Sequence, residues 1–251
     1  MKVLVTGAES RLGKQIIEEL APHHKLRLWG AGEAPDDLGD RSEWLTGDPR
    51  DAGTAWQAVR GVEAIVHTGE PPPGLPDGDL EREQELLDVA TRGTHVLFTA
   101  GVEAGVKRFV YGSTLQIFEA YPDDVFITEL WKPKPTPEMF QMTRYLGELT
   151  CREFARDFLV AVTALRLGKL VVAEEVAGQT PDLMWVDIRD AAHAFRIALD
   201  RDARKEVKWT QRFALHHICA NMPNGKYLMG TPGFRLNGFE PQHQFEIGEG
   251  A

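Results

Sequence analysis

Residues 6–13 read TGAESRLG: a threonine closing an apolar run, glycines at 7 and 13, and a helical pattern beginning at Arg11. A strand that turns through glycine into a helix is a phosphate-binding arrangement. The first N–H groups of the helix lack intrahelical partners and carry partial positive charge. Gly7 permits the tight turn and Gly13 the close packing of helix on sheet, so a dinucleotide's pyrophosphate would lie along the backbone of Ala8–Leu12. Gly7, Ser10, Arg11, Leu12 and Gly13 are therefore candidate cofactor-binding residues. Ser10 stands where a middle glycine would give the most room, so its side chain either crowds the phosphate or donates to it.

Other groups could move protons. Glu129 and Asp123–Asp124 lie in a loop where a carboxylate acid or base is conceivable, although a solvated loop face is the plainer expectation. His67 ends an apolar strand, as a hydrogen-bonded structural histidine does. The pairs His23–His24 and His216–His217 have no cysteine or carboxylate at metal-ligand spacing, so no metal site is expected. Asp187 and Asp190 are placed to cap a helix at 188–200.

These groups need a scaffold, and apolar runs alternating with helical patterns supply one. KVLVT (2–6), KLRLW (25–29), VEAIVH (62–67), RFVY (108–111) and FLVAVTALRL (158–167) read as strands. Helical spacing runs through 11–20, 51–60, 80–104 and 138–157. Strands of continuous apolar character separated by helices imply an α/β fold, a parallel sheet covered on both faces. Two irregular stretches, 69–79 and 132–137, follow strands and so fall on the ligand-binding side of such a sheet. After 165 the alternation weakens. The chain is therefore expected to be one domain: a Rossmann-type doubly wound core at 1–165 with a short C-terminal substrate lobe at 166–251.

A length of 251 residues with 43% hydrophobic and 26% charged residues suits one such domain with one filled core. A net charge of −10 argues against a nucleic-acid surface, which wants a basic stripe. The two cysteines, Cys151 and Cys219, make no disulfide framework. MKVLVTG is not a signal peptide, and no apolar run approaches the ~20 residues needed to cross a bilayer. A cytoplasmic protein without membrane contact is expected.

Several stretches, in order, resemble the extended short-chain dehydrogenase/reductases of the NAD-dependent epimerase/dehydratase family. MKVLVTGAESRLG resembles the opening turn, LTGDPRD (45–51) the GD-x-x-D segment, and AIVHTGE (64–70) the segment beside the cofactor. RGTHVLFTAGVEAGVKRFVYGST (92–114) is the most specific match. LR (165–166), VDIRDAAHA (186–194) and LNGFEP (236–241) are similar to three further landmarks. The resemblance implies NAD or NADP as cofactor and a small sugar-like substrate. It puts Asp48 on the adenine, and His67, Thr68, Gly69 and Arg144 beside the cofactor. It also implies a homodimer formed through the helices at 80–104 and 138–157.

The same resemblance marks what differs. The acid that ends the second strand and binds the adenosine ribose is absent, Trp29 and Gly30 standing there; Glu33 has the spacing but lies in a polar loop. Ala90 replaces an asparagine, and Glu70 a small neutral residue, where a carboxylate would repel a pyrophosphate unless aimed at a hydroxyl. The family's catalytic tyrosine and lysine fall at Phe140 and Arg144, anchored by LGE (146–148), while Thr114 matches the hydroxyl that steadies the reacting oxygen. Thr114, Phe140 and Arg144 are thus the catalytic positions, two of them altered. A tyrosine titrates near ~10 and needs the lysine's charge to work at neutral pH. None of Tyr111, Tyr121, Tyr145 and Tyr227 has a lysine four residues on, so no shifted copy of the pair exists. Phe140 keeps a ring without a proton, and Arg144 keeps a charge that cannot be exchanged.

Between Arg166 and Trp185 the chain is also shorter than the resembled enzymes, which leaves a smaller substrate pocket. The leading expectation is an NAD(P)-binding protein with altered or absent oxidoreductase chemistry. The alternatives are an active epimerase or reductase using a non-tyrosine acid, and a cofactor-free scaffold that presents an interaction surface.

Overall fold

The computed structural model describes residues 1–35, 38–39, 42–201, 212–222, 225–229 and 236–245. In chain order, β1 (Lys2–Thr6) leads through the glycine turn into α1 (Arg11–Leu20), then β2 (Lys25–Gly30), β3 (Ser42–Thr46), α2 (Ala52–Val59) and β4 (Ala64–His67). Then come α3 (Asp79–Asp88), α4 (Thr94–Glu103), β5 (Arg108–Thr114), α5 (Met139–Asp157) and β6 (Ala161–Leu167). The chain continues with β7 (Lys169–Val171), β8 (Trp185–Asp187), α6 (Ile188–Asp200) and β9 (Phe213–Ile218).

Seven strands form one parallel sheet in the order β3-β2-β1-β4-β5-β6-β9, while β7 and β8 pair separately. From β1 the chain winds outward to β3, then returns to lay β4 on the other side of β1. That reversal opens a crevice beyond the carboxyl ends of β1 and β4, the ligand-binding place in this kind of sheet. It brings the turn after Thr6 beside the loop after His67.

The sheet is apolar on both faces, so helices cover both. One core layer joins Val3, Val5 and Val66 to Leu12, Ile16 and Leu20 of α1 and to Phe195 and Leu199 of α6. Leu12, Ile16 and Leu20 recur every four residues and are at most 1% exposed, each burial worth roughly 1.5–3 kcal/mol. The other layer packs Leu4, Ile65 and Phe109 against Phe98 of α4 and Phe154 of α5. A third cluster sits under the 119–137 loop, where Leu115, Ile117 and Phe118 meet Met184 and Tyr227.

Several boundaries move. β3 was not evident, because SEWLT mixes charge with apolar residues as edge strands do. The strand expected from 158 begins at Ala161; Phe158 instead ends α5, its N–H donating to Phe154 O. The helical run at 80–104 is broken by a π-turn at Val89–Gly93, a feature often found near sites. Around the expected lobe boundary at 166, β6 runs from Ala161 to Leu167, and beyond it α6 packs in the first core layer and β9 pairs with β6 at the sheet edge. Part of the expected lobe, including 202–211 and 230–235, lies outside the described residues.

Candidate functional site

Gly7 takes φ of +62°, a left-handed conformation that favours glycine. A Cβ there would strike the Thr68 hydroxyl across the crevice, and one at Gly13 would collide with Gly7 O and lie 3.0 Å from Ala8 Cα. Both glycines are needed for the turn to lie flat against the sheet. Ser10 settles its two possibilities differently from either. In an extended conformation it caps α1, accepting from Gly13 N–H at 2.9 Å and donating to Gly7 O at 2.8 Å. Its hydroxyl is committed inside the turn and leaves the outer surface to backbone N–H groups. Leu12 sends its side chain into the core, and the exposed Arg11 pairs with Glu175 at 2.5 Å. The turn fits a pyrophosphate through backbone alone.

At the other end of the crevice, Trp29 is buried and donates Nε1–H to Gly47 O at 3.1 Å, while Glu33 is exposed. Both oxygens of Asp48 face Arg50, whose guanidinium also meets Glu85 and Asp88. Hydrogen bonds from Arg50 hold the Asp48 carboxyl below its ordinary value. Arg50 thus links Asp48 to Glu85 and Asp88 of α3.

Beyond β4, a cavity of about 320 Å³ opens between the 69–75 loop, the π-turn and α5. Leu75, Leu86, Val89 and Ala90 give it apolar walls, and His67, Thr94, Glu70 and Arg144 polar ones. Phe140 and Arg144, one turn apart on α5, both line it, with the guanidinium 5.1 Å from the ring centre. Arg144 is 3% exposed; Nη1 donates to Thr68 O at 3.0 Å and Nη2 to Glu70 Oε1 at 2.6 Å. The repulsion expected of Glu70 is therefore neutralised within the protein. His67 lies between two threonine hydroxyls, Nδ1 2.7 Å from Thr6 Oγ1 and Nε2 3.0 Å from Thr94 Oγ1. Burial, with the Arg144 charge nearby, pushes it down to about 3, so the ring is neutral.

Tyr111 and Glu138 also line this cavity and were not singled out as site residues. Tyr111 donates to Arg144 O at 3.2 Å, and burial raises its phenol far above the ordinary value. Glu138 caps α5 through the N–H groups of Phe140 and Gln141. Its one sequence signal is its place just before a helical run.

Thr114 does not line the cavity. It is 2% exposed, accepts from Gln116 N–H at 3.2 Å, and its hydroxyl lies 3.4 Å from Leu167 O. Neighbouring Ser113 donates to Glu148 Oε2 at 2.7 Å, and Glu148 holds Arg166 in a two-pronged pair at 2.7 and 3.0 Å. Tyr145 turns toward the third cluster. Glu129 is buried where a solvated face was expected, because its loop is packed over that cluster. Asp187 caps α6, its carboxyl held low, against burial, by hydrogen bonds from Arg189 and Ala173 N–H. Asp190 does not cap; it accepts from the backbone N–H groups of Gln242 and His243.

The family model described as NAD dependent epimerase/dehydratase matches residues 3–184. The NAD-dependent glucose-6-phosphate dehydrogenase of Haloferax volcanii is 26% identical over 225 residues, 82% of this chain and 82% of that protein. The uronate dehydrogenase of Pseudomonas syringae is 27% identical over 169 residues, 66% of this chain and 58% of its own length. The crystal structure of a glucuronic acid dehydrogenase from Chromohalobacter salexigens superposes with a TM-score of 0.79 at 18% identity, covering 98% of this chain and 85% of that one. At that identity the likeness is one of fold. No helix among the described residues is long and apolar enough to cross a membrane.

Proposed function

The chain belongs to the NAD-dependent epimerase/dehydratase family, and from that premise we propose that it binds a nicotinamide dinucleotide without carrying out the family's usual tyrosine-driven hydride chemistry. The observation that carries this is the pair on α5. Phe140 offers no proton, and Arg144 is locked to Glu70 and Thr68 O. Tyr111, the phenol of the same cavity, is buried, raised in pKa and already donating. The glycine turn supports binding, since its outer face is free of side chains from Gly7, Ser10 and Gly13.

When bound, a nicotinamide supplies a hydride acceptor or donor; this chain's residues supply only its placement. Ala8 and Ser10 N–H are used inside the turn, so the N–H groups at the start of α1, from Arg11 and Leu12, would hold the pyrophosphate, and Thr68, Gly69 and the Arg144–Glu70 pair would border the ribose nearer the reacting end. Relatives named for glucose-6-phosphate and uronate make a small acidic sugar the substrate class to try first. The reading includes a homodimer through α3, α4 and α5, which pack together and leave Leu80 and Phe158 exposed. With Cys151 and Cys219 free and buried, a reducing compartment such as the cytoplasm suits it.

Calorimetry with NAD⁺ and NADP⁺ on the wild type and on Gly7→Val tests binding. The wild type is expected to bind at least one dinucleotide, and the variant to lose it through the blocked turn. Unchanged affinity in a folded variant would place the site elsewhere.

A further inference from the structure

The adenosine ribose is usually read by an acid at the end of β2, about 20 residues beyond the glycine turn, and β2 here ends in Trp29 and Gly30. The structure nonetheless brings a carboxylate to that spot from another element. Glu9, inside the glycine turn, reaches across to the end of β2 and accepts from Ala31 N–H through Oε1 at 2.7 Å. The turn is held against β2 there, with Ala8 N–H donating to Trp29 O at 3.4 Å.

Gly30 and Glu9 depend on each other. A Cβ at residue 30 would run into Glu9 Oε2 and lie 2.6 Å from the Trp44 ring. An acid therefore cannot occupy the usual position while Glu9 fills the space beside it. The second oxygen, Oε2, is shielded from water and has no hydrogen-bond partner, and no cation among the described residues pairs with Glu9. A buried carboxylate oxygen without a donor is a costly exception in a folded protein. Among the described residues, the other acids of this end are engaged or turned away: Asp48 by Arg50, Glu33 into solvent.

We propose that Glu9 replaces the missing β2 acid as acceptor for the adenosine ribose hydroxyls and makes the site select NAD over NADP. This assignment rests on the dinucleotide reading above. Glu9 is only partly buried, so a small outward turn of its side chain toward an entering ribose diol exchanges the donor-less place of Oε2 for O–H donors. A 2′-phosphate removes one donor and sets a dianion against a fixed carboxylate, which is discrimination by repulsion as well as by attraction.

The test is calorimetric titration of the wild type and of Glu9→Gln with NAD⁺ and with NADP⁺, each protein checked by thermal melting. The wild type should bind NAD⁺ at least about tenfold more tightly than NADP⁺, the size of effect a charge-assisted hydrogen bond gives. Glu9→Gln keeps an oxygen for Ala31 N–H and removes the charge, so its ratio of affinities should fall toward one. Equal wild-type affinities, or a ratio unchanged in Glu9→Gln, overturns the assignment of Glu9 alone. Binding of neither dinucleotide overturns the reading beneath it as well. Should Glu9→Gln melt early, Glu9→Asp, whose shorter carboxylate withdraws from the ribose, should show the same loss of preference.

Discussion

Helix α5 carries two arginine–glutamate pairs one turn apart, Arg144 with Glu70 and Glu148 with Arg166, and the two do different work. The Glu148 pair is closed on every side: both side chains are nearly inaccessible, the contact is two-pronged, Ser113 adds a third hydrogen bond, and Phe118 stacks on the guanidinium. It ties α5 to β5 and β6. The Arg144 pair has one prong, and Glu70 keeps about a quarter of its side chain exposed in the wall of a cavity. The first pair is scaffold. The second borders the cavity, and under the function proposed above it would put a fixed charge pair in place of an exchangeable proton. A charged contact deep in the sheet and one at the crevice therefore differ in consequence even when their chemistry is the same.

The largest expected effect separates the two pairs by stability. Removing one partner of an enclosed pair leaves a buried charge and costs ~3–5 kcal/mol. Glu148→Ala should therefore lower the urea-unfolding free energy by that much. A loss below about 1 kcal/mol would mean that the pair is not the tie described.

Acid should come next. His67 and His217 are both pushed down to about 3 by burial, with Arg144 and Arg166 respectively adding to the shift. Above the ordinary histidine value of ~6.5 each is neutral folded or unfolded, so neither makes stability depend on pH there. Between ~6.5 and 3 the unfolded chain binds protons that the folded chain refuses, so stability falls as pH falls, by about 1.4 kcal/mol per pH unit per histidine. Unfolding curves at pH 7 and pH 5 should differ by ~2 kcal/mol for each ring. In His67→Asn the difference should shrink by one ring's share; an unshrunk difference would show that His67 is not held neutral.

Glu70→Gln should be the mildest of the three. A charge-assisted hydrogen bond contributes ~1.5–3 kcal/mol when enclosed and less with solvent access, so about 1 kcal/mol is expected. A cost equal to that of Glu148→Ala would erase the distinction between the two pairs.

The sequence made some of this plain and hid the rest for physical reasons. β1, α1 and the glycine turn were legible because a short apolar run, two glycines and four-residue apolar spacing are local signals. Phe140 and Arg144 were aligned through nearby LGE, and what the structure adds is that both line one cavity. Partners 74 residues apart, such as Arg144 and Glu70, meet only because β4 and α5 converge at the crevice, and nothing local announces it. Glu9 was hidden likewise: its contact with Ala31 spans 22 residues and depends on the absence of a side chain at Gly30. The edge strand β3 and the late strand β9 lacked the continuous apolar character that marked the inner strands.

Nicotinamide absorbance under single-turnover conditions tests most directly whether the acid is gone while the binding site remains. With protein in excess over NAD⁺, shown by calorimetry to be bound, and glucuronate or glucose 6-phosphate added, the account predicts no reduced nicotinamide. Loss of general acid–base help alone is worth ~10²–10⁴-fold in rate, so the absence should be plain. Reduction by the wild type that Thr114→Ala or Glu129→Gln abolishes would reveal another acid and contradict the claim.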